Sequence, residues 1–307
     1  MKIVITGGSG FIGSNIAKLL KNQHKVTIFD IKQKNMDINF IQGNINDSKR
    51  VIDKLKDFDL VIHLAASLGV INTEENPVMT LDTNMGGTKN VLEACRINKI
   101  KKIIFSSSSE VYGEPVKIPI DENDKSIPIT TYGISKLTAE EYIKVYSKNY
   151  GIQYTIFRLF NVYGDDQATD WVVAEFVSKA IANKSIVIHG DGSQIRAFCY
   201  VTDVAKAFEK ALKKANGEII NVGNDSEPIS IKKLAFKIVE LSNSKSNIEF
   251  VSFKNSNRNR EEIMKRVPSI LKAKKILGYE PKISLEEGIK NVVNKFQNEQ
   301  NINGKKD

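Results

Sequence analysis

The chain has 307 residues, 41% of them hydrophobic and 26% charged, with a formal net charge of +9 and two cysteines. That length suffices for one large α/β domain, or for a dinucleotide domain carrying a smaller lobe. No apolar run approaches the ~20 residues of a bilayer span, and a strand starting at residue 2 leaves no room for a leader peptide, so a cytoplasmic chain with no membrane partner is expected. The lysines (Lys21, Lys54, Lys56, Lys213, Lys214, Lys272) are scattered singly, which argues for a solvated surface and against a nucleic-acid partner. Cys95 and Cys199 lie far apart and follow no metal spacing, so both are expected to be reduced and buried.

In chain order, KIVIT (2–6), KVTIFD (25–30), LVIHLAA (60–66) and KKIIFSS (101–107) are β-branched runs bounded by turn residues. The helical stretches Ile12–Asn22, Lys49–Lys56 and Asn84–Asn98 lie between them. A helix over Ser135–Asn149, a strand YTIFRLF (154–160) and a helix over Trp171–Asn183 follow. Strands alternating with helices predict βαβ units, hence an α/β fold with a doubly wound parallel sheet of the Rossmann type. Beyond about residue 165 the segments shorten. A strand EIINVG (218–223), a helix Ile231–Leu241 and a polar stretch Lys254–Glu262 suggest a chain that crosses between lobes. The expected division is a dinucleotide domain over 1–165, with segments around 196–224 returning to it. A smaller C-terminal α/β lobe then takes 166–195 and 225–298, and a disordered tail takes 299–307.

The first strand runs straight into GGSGFIG (7–13), where Gly8, Gly10 and Gly13 satisfy G-x-G-x-x-G literally. Between a strand and a helix, such glycines allow a tight turn and a close approach of backbone to a pyrophosphate held at the helix N-terminus, here Phe11 and Ile12. The second strand ends in Asp30, a carboxylate able to accept both ribose hydroxyls and to repel a 2′-phosphate. This favours NAD over NADP, with Lys32 and Lys34 nearby as the counter-indication.

Downstream, SSSSEVYG (106–113) follows a strand and YGISK (132–136) opens a helix. Tyr132 and Lys136 stand one turn apart on one helix face. A phenol is a poor base at neutral pH, and a nearby ammonium stabilises phenolate. A serine at the strand end could complete the hydrogen-bonded path to a substrate alcohol.

Taken with HLAA (63–66), TNMGGTKNVLEA (83–94), RLFNVYG (158–164), GDGSQIRAFCYVTD (190–203) and LGYEPKISLEEGI (277–289), the chain resembles an extended short-chain dehydrogenase/reductase. The similarity is to the NAD-dependent nucleotide-sugar epimerase/dehydratase family and covers roughly residues 1–295. It implies NAD as cofactor, a nucleotide-diphosphate sugar as substrate, and a homodimer built through helices near 86–97 and 136–150, with Leu92, Ile143 and Tyr146 as candidate contacts. In that register Gly7, Gly10 and Gly13 are the turn glycines, Asn44 and Ile45 flank adenine, Leu64, Ala65 and Ala66 line the cofactor groove, and Asn84 sits behind the site. Ser108, Tyr132 and Lys136 become the catalytic set, with Lys136 also on the nicotinamide ribose. Asn161, Arg196 and Arg266 match positions that contact the diphosphate, although Arg196 would serve equally in an interdomain ion pair.

The implied chemistry is oxidation of the sugar at C4. The 4-keto sugar is then reduced on its other face (epimerase), loses water (4,6-dehydratase) or loses CO₂ (decarboxylase). Epimerisation of a UDP-sugar leads. Glu110 bears on the choice, as a catalytic carboxylate beside the ring or as one tied to neighbouring groups. A protein that binds NAD(H) or a nucleotide sugar without turnover is the reading from another class, and an intact Ser108–Tyr132–Lys136 set argues against it.

Overall fold

The computed structural model describes residues 1–252 and 262–303. The first half runs β1 (Lys2–Thr6), α1 (Phe11–Leu20), β2 (Lys25–Asp30), β3 (Asn39–Gln42), α2 (Ser48–Lys54), β4 (Leu60–His63), α3 (Val70–Glu75), α4 (Pro77–Leu81), α5 (Gly87–Ile97), β5 (Lys102–Ser108), α6 (Thr131–Tyr150) and β6 (Gln153–Leu159). The second half runs β7 (Val162–Tyr163), α7 (Val172–Ile181), β8 (Ile186–His189), β9 (Ile195–Arg196), β10 (Cys199–Tyr200), α8 (Val201–Ala211), β11 (Glu218–Val222), β12 (Ile229–Ser230), α9 (Ile231–Leu241), β13 (Ile248–Val251), β14 (Lys265–Arg266), α10 (Leu271–Leu277) and α11 (Leu285–Asn303).

Seven strands form one parallel sheet in the order β11-β6-β5-β4-β1-β2-β3. Its strands are apolar on both faces because both faces are covered. Ile3 and Ile5 of β1 join one core with Ile16 of α1 and Phe208 of α8, while Val4 joins the other with Val51, Val91 and Ile143 of α2, α5 and α6. The chain direction across the sheet reverses between β1 and β4, so their carboxyl ends open a crevice suited to a ligand.

A second core gathers Phe176, Ile186, Leu234, Ile289 and Val292 around the pair β8/β13 and the helices α7, α9 and α11. The returning segment is real, since β11 adds to the edge of the large sheet beside β6. The return goes further than the sequence reading placed it. Ile270, Ala273, Leu277 and Tyr279 pack into the first core, because α10 lies against β11 and α8.

Several sequence expectations shift. The strand expected over 60–66 stops at His63, and the helix expected from Asn84 begins at Gly87 after a π-helical turn, Asp82–Gly86. The expected disordered tail is helical as far as Asn303. Apolar Val292, Val293 and Phe296 anchor α11 on the second core, and the helix continues past them, while 304–307 lie outside the described residues. Most of the polar stretch Lys254–Glu262 also lies outside them, with Glu262 described. Both cysteines are free and buried, as expected. Among the described residues no helix is long and apolar enough to cross a membrane.

Candidate active site

A cleft of about 950 Å³ opens at the carboxyl ends of the central strands and is walled on its far side by the second lobe. On the near side β1 turns sharply at Gly7, whose φ of +70° favours glycine and whose Cβ would lie 2.6 Å from Ala65 N. A Cβ at Gly13 would strike the Gly7 carbonyl, so α1 sits directly on the turn. A Cβ at Gly8 would meet the Ile28 side chain at 2.8 Å and the Ile5 carbonyl at 3.0 Å. The positive φ sets the sharp turn at Gly7, while Gly8, Gly10 and Gly13 each leave little room for a Cβ. Gly10 caps α1 without any side-chain cap, leaving the first amides of the helix, at Phe11 and Ile12, facing the cleft they line. Asp30 Oδ2 accepts from Ser9 N at 3.0 Å and Oδ1 from Ile31 N at 2.7 Å, which fixes the carboxylate at the strand end. Ser9 Oγ is buried without a partner. A cradle that admits no Cβ, an open helix N-terminus and an orphaned hydroxyl beside a fixed carboxylate fit a dinucleotide. Asn44, Ile45, Leu64, Ala65 and Ala66 extend this wall as expected.

Behind the wall, His63 is fully buried between two threonines. Thr88 Oγ1 donates to Asn84 O at 2.6 Å, so it accepts from His63 Nε2 at 3.0 Å, and His63 Nδ1 accepts from Thr6 Oγ1 at 2.6 Å. Burial, with Lys136 adding to it, lowers the His63 pKa to about 3, so the ring is neutral. Because the folded pKa lies below the unfolded one, the unfolded chain binds the extra proton between about pH 3 and 6.5. We expect the unfolding midpoint to fall as pH drops through that window, and part of that fall to vanish in His63→Gln. A pH profile as steep as the wild-type one in that variant would refute the assignment. Asn84 sits behind the site as expected: its Oδ1 accepts from Ser67 N at 2.7 Å and its Nδ2 donates to Ser135 Oγ at 2.9 Å.

Ser108, Tyr132, Lys136 and Glu110 all line the cleft. Ser108 ends β5, while Tyr132 and Lys136 come from the first turns of α6. Thr130 caps that helix by accepting from Gly133 N at 2.9 Å, and donates in turn to Glu110 Oε2 at 2.7 Å. Lys136 Nζ donates to Ser106 O at 2.8 Å and lies 5.6 Å from the Tyr132 ring centre. The electrostatics differ from the sequence expectation. Burial, with Glu110 adding to it, pushes the Tyr132 phenol well above its ordinary range, and burial draws Lys136 down to about 7 against the opposing Glu140 carboxylate. Desolvation by the close packing around both groups disfavours the phenolate and the ammonium alike.

On the far wall, β9 and β14 pair in parallel with Arg196 opposite Arg266. Arg196 NH2 donates to Glu262 Oε1 at 2.7 Å, and Arg266 NH1 to Glu110 Oε1 at 3.4 Å. Both forks line the cleft, as does Asn161, whose Oδ1 is buried without a partner. The ion pair that the alternative reading gives Arg196 is present, with Glu262 as its partner. Two guanidiniums side by side on this wall suit the oxygens of a phosphate. Sequence reading missed Thr130, Glu262 and Ser9. Thr130 carried a signal, a threonine three residues before Gly133 at a helix start, whereas Glu262 carried none.

The model of the NAD dependent epimerase/dehydratase family matches residues 3–223. A Methanocaldococcus jannaschii protein, named provisionally as a UDP-glucose 4-epimerase, is 42% identical over 96% of this chain and 98% of its own. The UDP-N-acetyl-alpha-D-glucosaminuronate decarboxylase of Bacillus cytotoxicus is 37% identical over 98% of this chain and 99% of its own. Among solved structures, the UDP-glucose 4-epimerase of Thermotoga maritima with UDP-glucose superposes with a TM-score of 0.92 at 32% identity, covering 98% of this chain and 100% of the other.

Proposed function

The chain belongs to the NAD-dependent epimerase/dehydratase family, and from that premise we propose that it is a 4-epimerase of a UDP-sugar. As a member of that family it is an NAD-dependent enzyme. The observation that carries epimerisation over its alternatives is the engagement of Glu110. Its two oxygens are held by the Thr130 hydroxyl and the Arg266 guanidinium, so the carboxylate serves the architecture of the site rather than standing ready to take a C5 proton.

In this reading the Gly7–Gly13 turn and the α1 N-terminus hold the cofactor pyrophosphate, Asp30 the adenosine ribose, and Lys136 the nicotinamide ribose. The chemistry NAD supplies when bound is reversible acceptance of hydride from the sugar C4. Tyr132 Oη takes the proton of the C4 hydroxyl, with Ser108 Oγ bridging, and returns it to the ketone oxygen after the sugar has turned its other face. Arg196, Arg266 and Asn161 hold the diphosphate while the sugar turns. Because burial keeps Tyr132 protonated, the phenolate forms only as positive charge accumulates near it, from Lys136 and the bound ligand.

Incubation with UDP-, GDP-, dTDP- and CDP-sugars, read by mass and by sugar composition, tests the proposal. A 4-epimer of unchanged mass supports it. Loss of water or of CO₂ overturns it. Decarboxylation is the second reading, favoured by the 37% identity to the Bacillus cytotoxicus decarboxylase over nearly the whole chain. Glu110→Gln separates epimerisation from dehydration: an epimerase keeps turnover within about tenfold, whereas a dehydratase taking the C5 proton with this carboxylate loses at least ~100-fold.

A second copy of the chain is the proposed partner, with a corrected contact surface. Leu92, Ile143 and Tyr146 are buried in the chain's own core, since α5 and α6 use those faces against the sheet. Ile97, Val145 and Tyr150, exposed on the same two helices, are the candidates instead. Val145→Glu is expected to yield monomer in light scattering, and a mass unchanged from that of a wild-type dimer would remove this surface from consideration.

A further inference from the structure

Tyr132, Lys136 and Glu140 recur every four residues along α6, and so lie on one face of the helix. Glu140 is wholly buried, and its carboxylate is fully engaged. Its Oε1 accepts from Ser107 Oγ at 2.5 Å and from Arg158 Nε at 3.0 Å, and its Oε2 accepts from Arg158 NH2 at 2.7 Å. Ser107 and Arg158 are themselves cross-strand partners in β5 and β6. Arg158 lies 4.7 Å over the ring of Tyr112, in the short helical turn that follows Ser108, and Tyr112 donates to Asn221 of β11 at 2.7 Å.

One buried carboxylate therefore joins α6 to β5 and β6, and Arg158 and Tyr112 carry the link on to β11. The residues flanking Ser107 both face the site: Ser106 O anchors Lys136, and Ser108 supplies a hydroxyl. We propose that Glu140, through Ser107 and Arg158, is a positioning residue of the catalytic set, holding α6 in register with the end of β5 and keeping Lys136 cationic. The proposal rests on the roles assigned above to Tyr132 and Lys136.

The electrostatic half follows from what faces Lys136. Its own helix offers Tyr132 and Glu140. β5 offers the Ser106 carbonyl and, at 4.7 Å, the Phe105 ring. β4 offers His63, which is neutral, and Glu110 acts on Tyr132. Arg158 lies behind Glu140 and opposes it. Glu140 is the group that holds Lys136 up against its burial. A buried ion pair is seldom the most stabilising filling of a core, so its presence beside the catalytic lysine calls for a use. The neutral amine cannot stabilise a phenolate, hence activity declines as pH rises past the lysine pKa.

The test is the pH profile of kcat for the NAD-loaded enzyme, with KM and UDP binding measured alongside. Glu140→Gln leaves Arg158 unopposed, and its alkaline limb is expected to move down by about one pH unit, with UDP affinity unchanged within about twofold. Ser107→Ala keeps the charges and loses one hydrogen bond, so kcat falls while the limb stays in place. The double variant Glu140→Gln/Arg158→Met removes both charges and serves if the single variant does not fold, its limb lying between those of wild type and Glu140→Gln. A limb at its wild-type place in whichever of Glu140→Gln and the double variant folds overturns the proposal, as does equal displacement in the two. Wild-type enzyme inactive on every nucleotide sugar would instead overturn the reading on which the proposal stands.

Discussion

Replacing Tyr132 by phenylalanine is expected to cut turnover of the nucleotide sugar by about 10²- to 10⁴-fold, the range in which a positioned acid–base group contributes. The variant should still carry NAD, because the phenol oxygen is the one atom lost and the Gly7–Gly13 cradle is remote from it in sequence and built from backbone. It should also fold, since the ring remains in place on α6, 5.6 Å from the Lys136 ammonium. Cofactor content after denaturation, thermal midpoint and single-turnover conversion together separate chemistry from binding. Turnover within threefold of wild type would remove Tyr132 as the base and with it the proposed mechanism.

Gly13→Val is expected to abolish NAD binding, with affinity falling at least ~100-fold, and to destabilise the chain by about 1–3 kcal/mol, as overpacking of a tight contact does. The new Cβ would fall on the Gly7 carbonyl and lie 2.7 Å from Gly8 Cα, both backbone atoms with no rotamer to yield. Relief requires α1 to move off β1, which displaces the helix N-terminus from the turn it completes. Calorimetric titration with NAD and thermal unfolding measure the two effects. Wild-type affinity in this variant would show that the turn does not need its close helix packing.

The two predictions draw on different kinds of information. The glycine turn was legible because strand, turn and helix are contiguous and each glycine answers a local backbone demand. Even so, the literal motif did not include Gly7, whose close approach to Ala65, some sixty residues away, only the fold shows. The Tyr132–Lys136 spacing was likewise local, a single helical turn. Its electrostatics were not, since burial depends on everything packed around α6, and burial opposes the phenolate that an ammonium favours. The candidate dimer residues failed for a related reason: an apolar helix face looks the same whether it meets its own sheet or a second chain.

By itself, the sequence determined the alternation of strands and helices in the first half, the Rossmann type of sheet, NAD as the cofactor and the candidate catalytic side chains. These follow from periodicity, turn chemistry and short spacings, which act over a few residues. The tertiary structure alone decided that Arg196 and Arg266 stand abreast, that Glu110 is held between Thr130 and Arg266, and that Glu140 ties α6 to Ser107 and Arg158. Each of these joins residues on separate elements, from 18 to 156 positions apart for the hydrogen bonds to Arg158 and Arg266. Such pairings are fixed by sheet register and helix packing, which no local pattern encodes.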